Sequence, residues 1–267
     1  MRDPLLPLLP GPQDADRPWL ICYGIDERVE LTGHVLSMWL AKIAGFVTSE
    51  SVPGDGVHVA LPPHWRSVAW ACGTWLAGRS VLLGSNEEIR AAGLIPELSV
   101  AFTPESLYDE AEAQALVPPA SLALRWPEEL PALVLDGAAD LMHYPDRFTP
   151  VSTAADSVCL TDLTSEAAAP AAPSAPGGTA PSGGRLTVLT RAQLAARVEA
   201  ADAPTGSGRH SASRAVLVRS PDTAQMLQEV LVAWRTGRTA VVLTPEAGDD
   251  VAAAAIRQEG IQEGITA

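Results

Sequence analysis

Lysine is nearly absent from this chain. Lys42 stands alone, and every other cationic side chain is an arginine. Against 18 Lys and Arg there are 32 Asp and Glu, a formal charge of −14. A surface that acidic repels nucleic-acid phosphates and anionic lipid headgroups, so neither nucleic acid nor membrane is an expected partner. Cysteine is scarce too. Cys22, Cys72 and Cys159 lie far apart, are odd in number and form no C-x-x-C pair, which fits reduced thiols in a cytoplasmic protein. No apolar run approaches the roughly 18 residues of a membrane span. The leucine-rich start is broken by Pro4, Pro7, Pro10 and Pro12, and Asp3 offsets Arg2, unlike a signal peptide. Aromatics are only 5% of a chain that is 47% apolar, so Ala, Val and Leu must fill most of the core.

What is present reads as an α/β protein. Leu31, Val35, Trp39, Ile43 and Phe46 recur at helical spacing, with Thr32 able to cap the start. Pro53-Gly54-Asp55-Gly56 is a turn signal, and Val57 to Leu61 follows as a short buried strand ended by Pro62 and Pro63. A helix is expected over Arg66–Ala77, closed by Gly78, and a strand over Ser80–Leu83. Such a βαβ unit favours parallel pairing with helices covering the sheet. Further strands are expected at Leu98–Phe102, Asp156–Leu163, Ala215–Val218 and Thr239–Leu243. Further helices are expected at Pro104–Leu116, Thr190–Ala201, Thr223–Thr236 and Asp249–Glu259, with short strands and loops over 117–155.

Residues 166–184 are almost entirely Ala, Pro, Gly, Ser and Thr, a composition that buries too little apolar surface to offset its ordering entropy. A second Gly/Ser-rich loop covers 205–213. The expected organisation is a Pro-rich tail at 1–17, a first α/β subdomain at 18–165, a flexible loop at 166–185 and a second α/β subdomain at 186–267. Trp75-Leu76-Ala77-Gly78-Arg79-Ser80 matches Trp234-Arg235-Thr236-Gly237-Arg238-Thr239 without a gap, the two glycines standing 159 residues apart. At the same spacing Val57, Val59 and Pro62 fall on Val216, Val218 and Pro221. Leu31-Thr32 and Leu36 match Leu189-Thr190 and Leu194 one residue closer. Two βα units of one plan, packed together, are the physical reading.

The ordered set Arg28-Val29-Glu30-Leu31-Thr32, Val52-Pro53-Gly54-Asp55-Gly56-Val57 and Trp75-Leu76-Ala77-Gly78 resembles the start of AMP-binding, adenylate-forming enzymes. These are the acyl-CoA synthetases, luciferases and nonribosomal adenylation domains. Pro62-Pro63-His64 replaces their usual Pro-Asn-Ser. Family members place a Ser/Thr/Gly loop ending in Lys-Gly between a short strand and an L-T-H helix start. Here Leu163-Thr164-Ser165 and Val188-Leu189-Thr190-Arg191 flank the Ala/Pro/Gly-rich segment. The resemblance covers about the first half of a family member and is closest to the truncated AMP-binding-related proteins of high-GC, actinobacterial genomes. It implies two similar βα subdomains with mostly parallel sheets, as in the N-terminal part of those enzymes. The family's Y-G-x-T-E and T-G-D segments and its lysine-bearing C-terminal lid have no counterpart here.

Chemistry is scarce in the same places. Adenylation needs phosphates held by backbone amides and a cation. Gly177, Gly178, Thr179, Ser182, Gly183 and Gly184 form the candidate cradle, and Thr164 and Ser165 the candidate strand-end contacts. Arg185 is the nearby cation, a planar fork that does not replace a lysine point charge. The composition of the cradle is typical of a linker, and strand-end Ser and Thr more often satisfy local backbone groups, so those are the leading readings of both sets. His34, His58, His64, His143 and His210 form no i, i+4 pair, so no zinc site is expected. His58 is expected to be a hydrogen-bonded strand residue; His64 lies in the loop after a strand, where α/β sheets bind ligands, and is expected to be solvated there. No G-x-S-x-G or strand-following G-x-G-x-x-G occurs. Trp65, Trp70 and Trp75 are expected to pack the core.

The expectation is therefore a non-catalytic, pseudoenzyme-like relative of adenylate-forming enzymes, lacking the phosphate-loop lysine. ATP or AMP is the candidate nucleotide at Thr164, Ser165, Gly183, Gly184 and Arg185, an acyl group the other candidate ligand, and a second copy or protein partner the candidate assembly. No metal and no catalytic residue is assigned. The alternative is a half-ligase that adenylates a carboxylate, as an acid–CoA ligase does, only with a second polypeptide.

Overall fold

The computed structural model describes residues 3–11, 13–14, 16–164, 186–202 and 214–261. In chain order these build β1 (Pro18–Tyr23), β2 (Arg28–Thr32), α1 (Gly33–Glu50), β3 (Val57–Ala60), α2 (Trp65–Leu76), β4 (Val81–Leu83), α3 (Asn86–Ala92) and β5 (Leu98–Ala101). Then come β6 (Gln114–Leu116), β7 (Leu135–Asp136), β8 (Val158–Asp162), β9 (Thr187–Thr190), α4 (Arg191–Asp202), β10 (Ala215–Val218), α5 (Thr223–Arg235), β11 (Thr239–Leu243) and α6 (Asp249–Gln258). Two sheets result, of order β7-β6-β5-β3-β4-β8-β9 and β10-β11-β1-β2. All neighbours pair in parallel except β1–β2 and β8–β9. The architecture is α/β, with mostly parallel sheets flanked by helices.

The repeat extends beyond the matched residues. One copy runs β1-β2-α1-β3-α2-β4 and the other β8-β9-α4-β10-α5-β11. Both opening hairpins slip register at the same point, between Pro18 and Leu20 and between Val158 and Leu160. Thr32 Oγ1 accepts from Val35 N at 3.2 Å, and Thr190 Oγ1 from Gln193 N at 3.2 Å, so α1 and α4 start alike. Val57 pairs with Val81 and Val216 with Ala240. Gly78 and Gly237 close α2 and α5 at φ 76° and 70°, a left-handed exit that glycine takes without steric cost. Trp75 Nε1 donates to the Cys159 carbonyl at 2.7 Å, and Trp234 Nε1 to the Trp19 carbonyl at 2.8 Å.

The copies exchange hairpins. β1–β2 lies against β11 of the second copy, and β8–β9 against β4 of the first. Each sheet thus takes strands from both copies of the repeat, and the sheets do not divide at the expected 166–185 junction. The Pro-rich start is tied in as well. Leu5 is buried beside a 3-10 turn at Leu6–Leu8. The Asp3 carboxylate accepts from Arg191 Nη1 at 2.6 Å and from Leu5 N at 3.0 Å, and Arg191 Nη2 donates to the Trp75 carbonyl at 2.9 Å. Residues 3–11 are a docked segment and not a tail.

Three local readings are corrected. Pro104–Leu116 is no helix. Pro104–Ser106 makes one 3-10 turn, Leu107 turns extended, and Gln114–Leu116 pairs with β5. The helix pattern there was outweighed by tertiary contacts, with Ser99 Oγ accepting from Tyr108 N at 2.9 Å and Asn86 Nδ2 donating to the Leu107 carbonyl at 2.9 Å. On α1 the buried face is Leu36, Leu40, Ile43, Phe46 and Val47, while Val35 is exposed. Each fully buried apolar side chain of this kind contributes roughly 1.5–3 kcal/mol. Finally, β1, β2, β9 and α3 have no expected counterpart in the sequence pattern.

Candidate ligand site

The strands of both sheets end at one crevice. Gly24 to Glu27 follow β1, Pro62 and Pro63 follow β3, Phe102 follows β5, and Thr244 to Glu246 follow β11. They enclose a cavity of about 380 Å³. A second hollow of about 310 Å³ adjoins it through Pro62, Pro63 and Pro245, lined by Gly84, Thr164 and the Asp222 cap of α5. Thr223 Oγ1 bridges the sheets by donating to the Leu61 carbonyl at 2.8 Å. Ligands of open α/β sheets bind at such carboxyl ends of strands. The prolines after β3 end its ladder by lacking an N–H and so turn the chain into the crevice wall.

A buried polar network forms the floor. His64 caps α2, its Nδ1 accepting from Arg66 N at 3.1 Å. Nδ1 is therefore unprotonated in the neutral ring, and Nε2–H points at Ser121 Oγ, 3.2 Å away. Ser121 Oγ donates to Glu27 Oε1 at 2.6 Å, and Ser121 N to Glu27 Oε2 at 3.1 Å. His, Ser and Glu thus meet, but the serine proton goes to the carboxylate and the imidazole is a donor. That order opposes a histidine-activated serine nucleophile. Burial, with the nearby Arg66 charge second, pushes His64 down to about 4 against the weaker opposing pull of Glu27. His64 is only 3% exposed, which corrects the solvated reading.

Arg66 does not serve the crevice as a free cation. Its Nη2 donates to the carbonyls of Ala120, Ser121 and Ala123 at 3.3, 3.2 and 2.8 Å, and its guanidinium lies over the Trp65 ring at 4.5 Å. Burial lowers its pKa to about 10. The interaction fixes the 120–123 loop as the outer wall, because a buried guanidinium must spend its donors on acceptors.

Of the nucleotide-contact residues expected from sequence, Thr164 lies at the second hollow. Its Oγ1 donates to Asp162 Oδ1 at 2.7 Å and its N to the same oxygen at 3.1 Å, a local strand-end arrangement. Ser165, Gly183, Gly184 and Arg185, with Gly177, Gly178, Thr179 and Ser182, lie outside the described residues. His58 behaves as expected, buried with Nδ1 at 3.0 Å from Ser99 Oγ and Nε2 at 3.0 Å from the Gly84 carbonyl. The described residues hold no group of three or more side chains able to bind a metal. Sequence reasoning missed Glu27, Arg66 and Ser121. No spacing links them, because they come from the β1–β2 turn, α2 and a loop 94 residues away from Glu27.

No family model matches the chain. A Mycobacterium tuberculosis protein whose name states no activity is 36% identical over 59 residues, 21% of this chain and 24% of that protein. An acyl-CoA synthetase from Brucella canis superposes with a TM-score of 0.74 at 17% identity, over 97% of this chain and 46% of the enzyme. The fold is that of the N-terminal part of acyl-CoA synthetases. MatB from Rhodopseudomonas palustris has a TM-score of 0.68 at 12% identity, over 97% of this chain and 48% of its own. Acetoacetyl-CoA synthetase from Streptomyces lividans gives 0.67 at 16%, over 91% and 38%. The chain spans less than half the length of these three enzymes. On its version of the acyl-CoA synthetase fold, the crevice occupies the carboxyl end of both sheets. No helix among the described residues is long and apolar enough to cross a membrane.

Proposed function

We propose that this chain is a non-catalytic protein on the acyl-CoA synthetase fold that holds a small molecule in the crevice without adenylating a carboxylate. One observation carries the reading. Among the described residues, the lining contains Asp26, Glu27, Glu246 and Asp222 and no Arg or Lys. Adenylation gathers phosphate charge that must be met by cations and amides. A carboxylate about 4 Å from a phosphate charge instead costs roughly 4 kcal/mol at an effective dielectric of about 20. The sole lysine is engaged elsewhere, with Lys42 Nζ 2.7 Å from Asp146 Oδ1 and 2.7 Å from the Tyr144 carbonyl. The walls, with Ile25, Phe102 and five prolines across the two hollows, favour an uncharged portion of a ligand such as a nucleoside or an acyl group.

ATP–pyrophosphate exchange with a panel of carboxylates tests the reading, and no exchange above the protein-free blank is expected. Robust exchange by the pure protein refutes it. In a thermal-shift series adenosine should stabilise at least as well as AMP and better than ATP. Saturation at a hundredfold over Kd is worth about 2.7 kcal/mol, enough to read as a shift. The opposite order would show that phosphate charge is welcome and would overturn the electrostatic basis.

A further inference from the structure

The repeat provides an internal control for another cavity, which shares no lining residue with the crevice. A groove of about 490 Å³ lies between α4, α5 and β10. In the first copy larger aromatic and apolar side chains occupy several of the corresponding positions. Trp39, Leu40 and Ile43 on α1 and Trp70 on α2 are replaced at matching positions by Arg197, Val198 and Ala201 on α4 and Glu229 on α5. Ile43 packed on Gly73 becomes Ala201 beside Val232, an exchange of bulk, whereas Trp39 and Trp70 give way to the polar Arg197 and Glu229, so the groove opens where the tryptophans stood. Its floor is apolar, and Arg197 and Arg238 stand on its walls.

The two copies also differ in what their closing arginine meets. Arg79 Nε lies 3.6 Å from Glu97 Oε1, a carboxylate whose side chain is 1% exposed. Arg238 is its counterpart; neither arginine's buried Nε makes a hydrogen bond, but among the described residues Arg238 also has no carboxylate within ion-pair distance. Partial burial lowers its pKa, and no carboxylate among the described residues offsets that cost. The one carboxylate on the groove, Glu229, already accepts from Gln225 Nε2 at 2.8 Å. An apolar slot with an uncompensated guanidinium has the chemistry of a carboxylate receptor with room for a short hydrocarbon chain.

We infer that the groove between α4 and α5 binds a small amphipathic carboxylate, its chain on Val198, Val216 and Val232 and its head on Arg238 and Arg197. This site is independent of the crevice, so its failure and that of the proposed function are separate results. Octanoate is the probe, titrated against the whole chain by calorimetry, with octanol and octylamine as uncharged and cationic controls of the same length. Octanoate should bind, and octanol and octylamine should bind at least tenfold more weakly. Arg238→Gln should weaken octanoate about tenfold, the range of one charge-assisted contact. Ala201→Trp restores bulk on an exposed position of the wall and should abolish binding while leaving the urea midpoint unchanged. If Arg238→Gln misfolds, Ala201→Trp decides alone. The inference is overturned if octanoate shows no heat at millimolar concentration. It is equally overturned if octanol binds as well, or if Ala201→Trp binds like the unaltered chain.

Discussion

Replacing Asp3 by Ala should cost about 3–5 kcal/mol of folding stability, although Asp3 lies near the chain start in a proline-rich stretch. The estimate comes from what the change strands. Arg191 and Asp3 are 0% and 1% exposed and 2.6 Å apart. Removing the carboxylate leaves a buried guanidinium that, among the described residues, keeps only the hydrogen bond from Nη2 to the Trp75 carbonyl, its Nε having none. A buried charge deprived of its partner costs about 3–5 kcal/mol. For a protein of this size that corresponds to a Tm loss of about 6–20 °C. Asp3→Ala also frees Leu5 N and Thr153 N, which the carboxylate accepts at 3.0 and 3.3 Å. Urea unfolding of the unaltered chain, Asp3→Ala, Arg191→Met and the double variant gives the coupling directly. The double variant should be more stable than the sum of the single losses predicts, by about 2–3 kcal/mol, because no charge is left stranded. An Asp3→Ala loss below about 1 kcal/mol, or strict additivity, would refute the reasoning.

Other outcomes follow from the same geometry. Gly78→Ala and Gly237→Ala both force a left-handed residue, costing about 1–2 kcal/mol. Gly78→Ala should lose more on chemical denaturation, because its Cβ would meet Val151 Cγ1 at 2.8 Å while nothing lies within 4 Å at Gly237. Trp75→Phe and Trp234→Phe each leave a buried carbonyl without its indole donor and should cost about 1–3 kcal/mol apiece, measured by urea midpoints. His64 is held near 4 in the folded chain and near its ordinary 6.5 when unfolded, so the unfolded state takes up the proton first. Stability should be fully present above about pH 6.5 and fall as pH drops towards 4, by up to about 3 kcal/mol from this group. Burial shifts His58 in the same direction, so the comparison is with His64→Gln, which should flatten part of the slope. An unchanged pH profile in that variant would contradict the buried, neutral His64.

The fold was legible where the sequence carries two independent signals at once. Ala215–Val218 and Thr239–Leu243 are strands at the expected bounds. Both are short apolar runs next to a glycine-closed helix, and both belong to the repeat. β1 escaped notice because Pro18 opens it and its partners, β11 and β2, are not both sequence neighbours. α3 escaped because seven residues are too few for a periodicity to show, although Ser85 and Glu88 form a complete capping box. The crevice was partly legible, since Pro62-Pro63-His64 marks a strand end, the usual place for a ligand. Its floor was not. The partners of His64 come from a turn after β1 and a loop after β6, and only the folded chain brings Glu27 and Ser121 together. Isolated polar residues carry no spacing signal of their own.

The exchanged hairpins order events in time. β1 at residues 18–23 finds its parallel partner only at residues 239–243. During synthesis the opening hairpin must wait for almost the whole chain, while β3, β4 and β5 can already associate. Its apolar Trp-Leu-Ile-Cys-Tyr stretch is meanwhile an unpaired edge, the kind of surface that favours aggregation. Contacts so distant in sequence also close slowly, because loop entropy is lost before the pairing rewards it. Neither half of the chain can complete the β10-β11-β1-β2 sheet by itself. Production of this protein in halves should leave that sheet unformed until the two fragments are mixed.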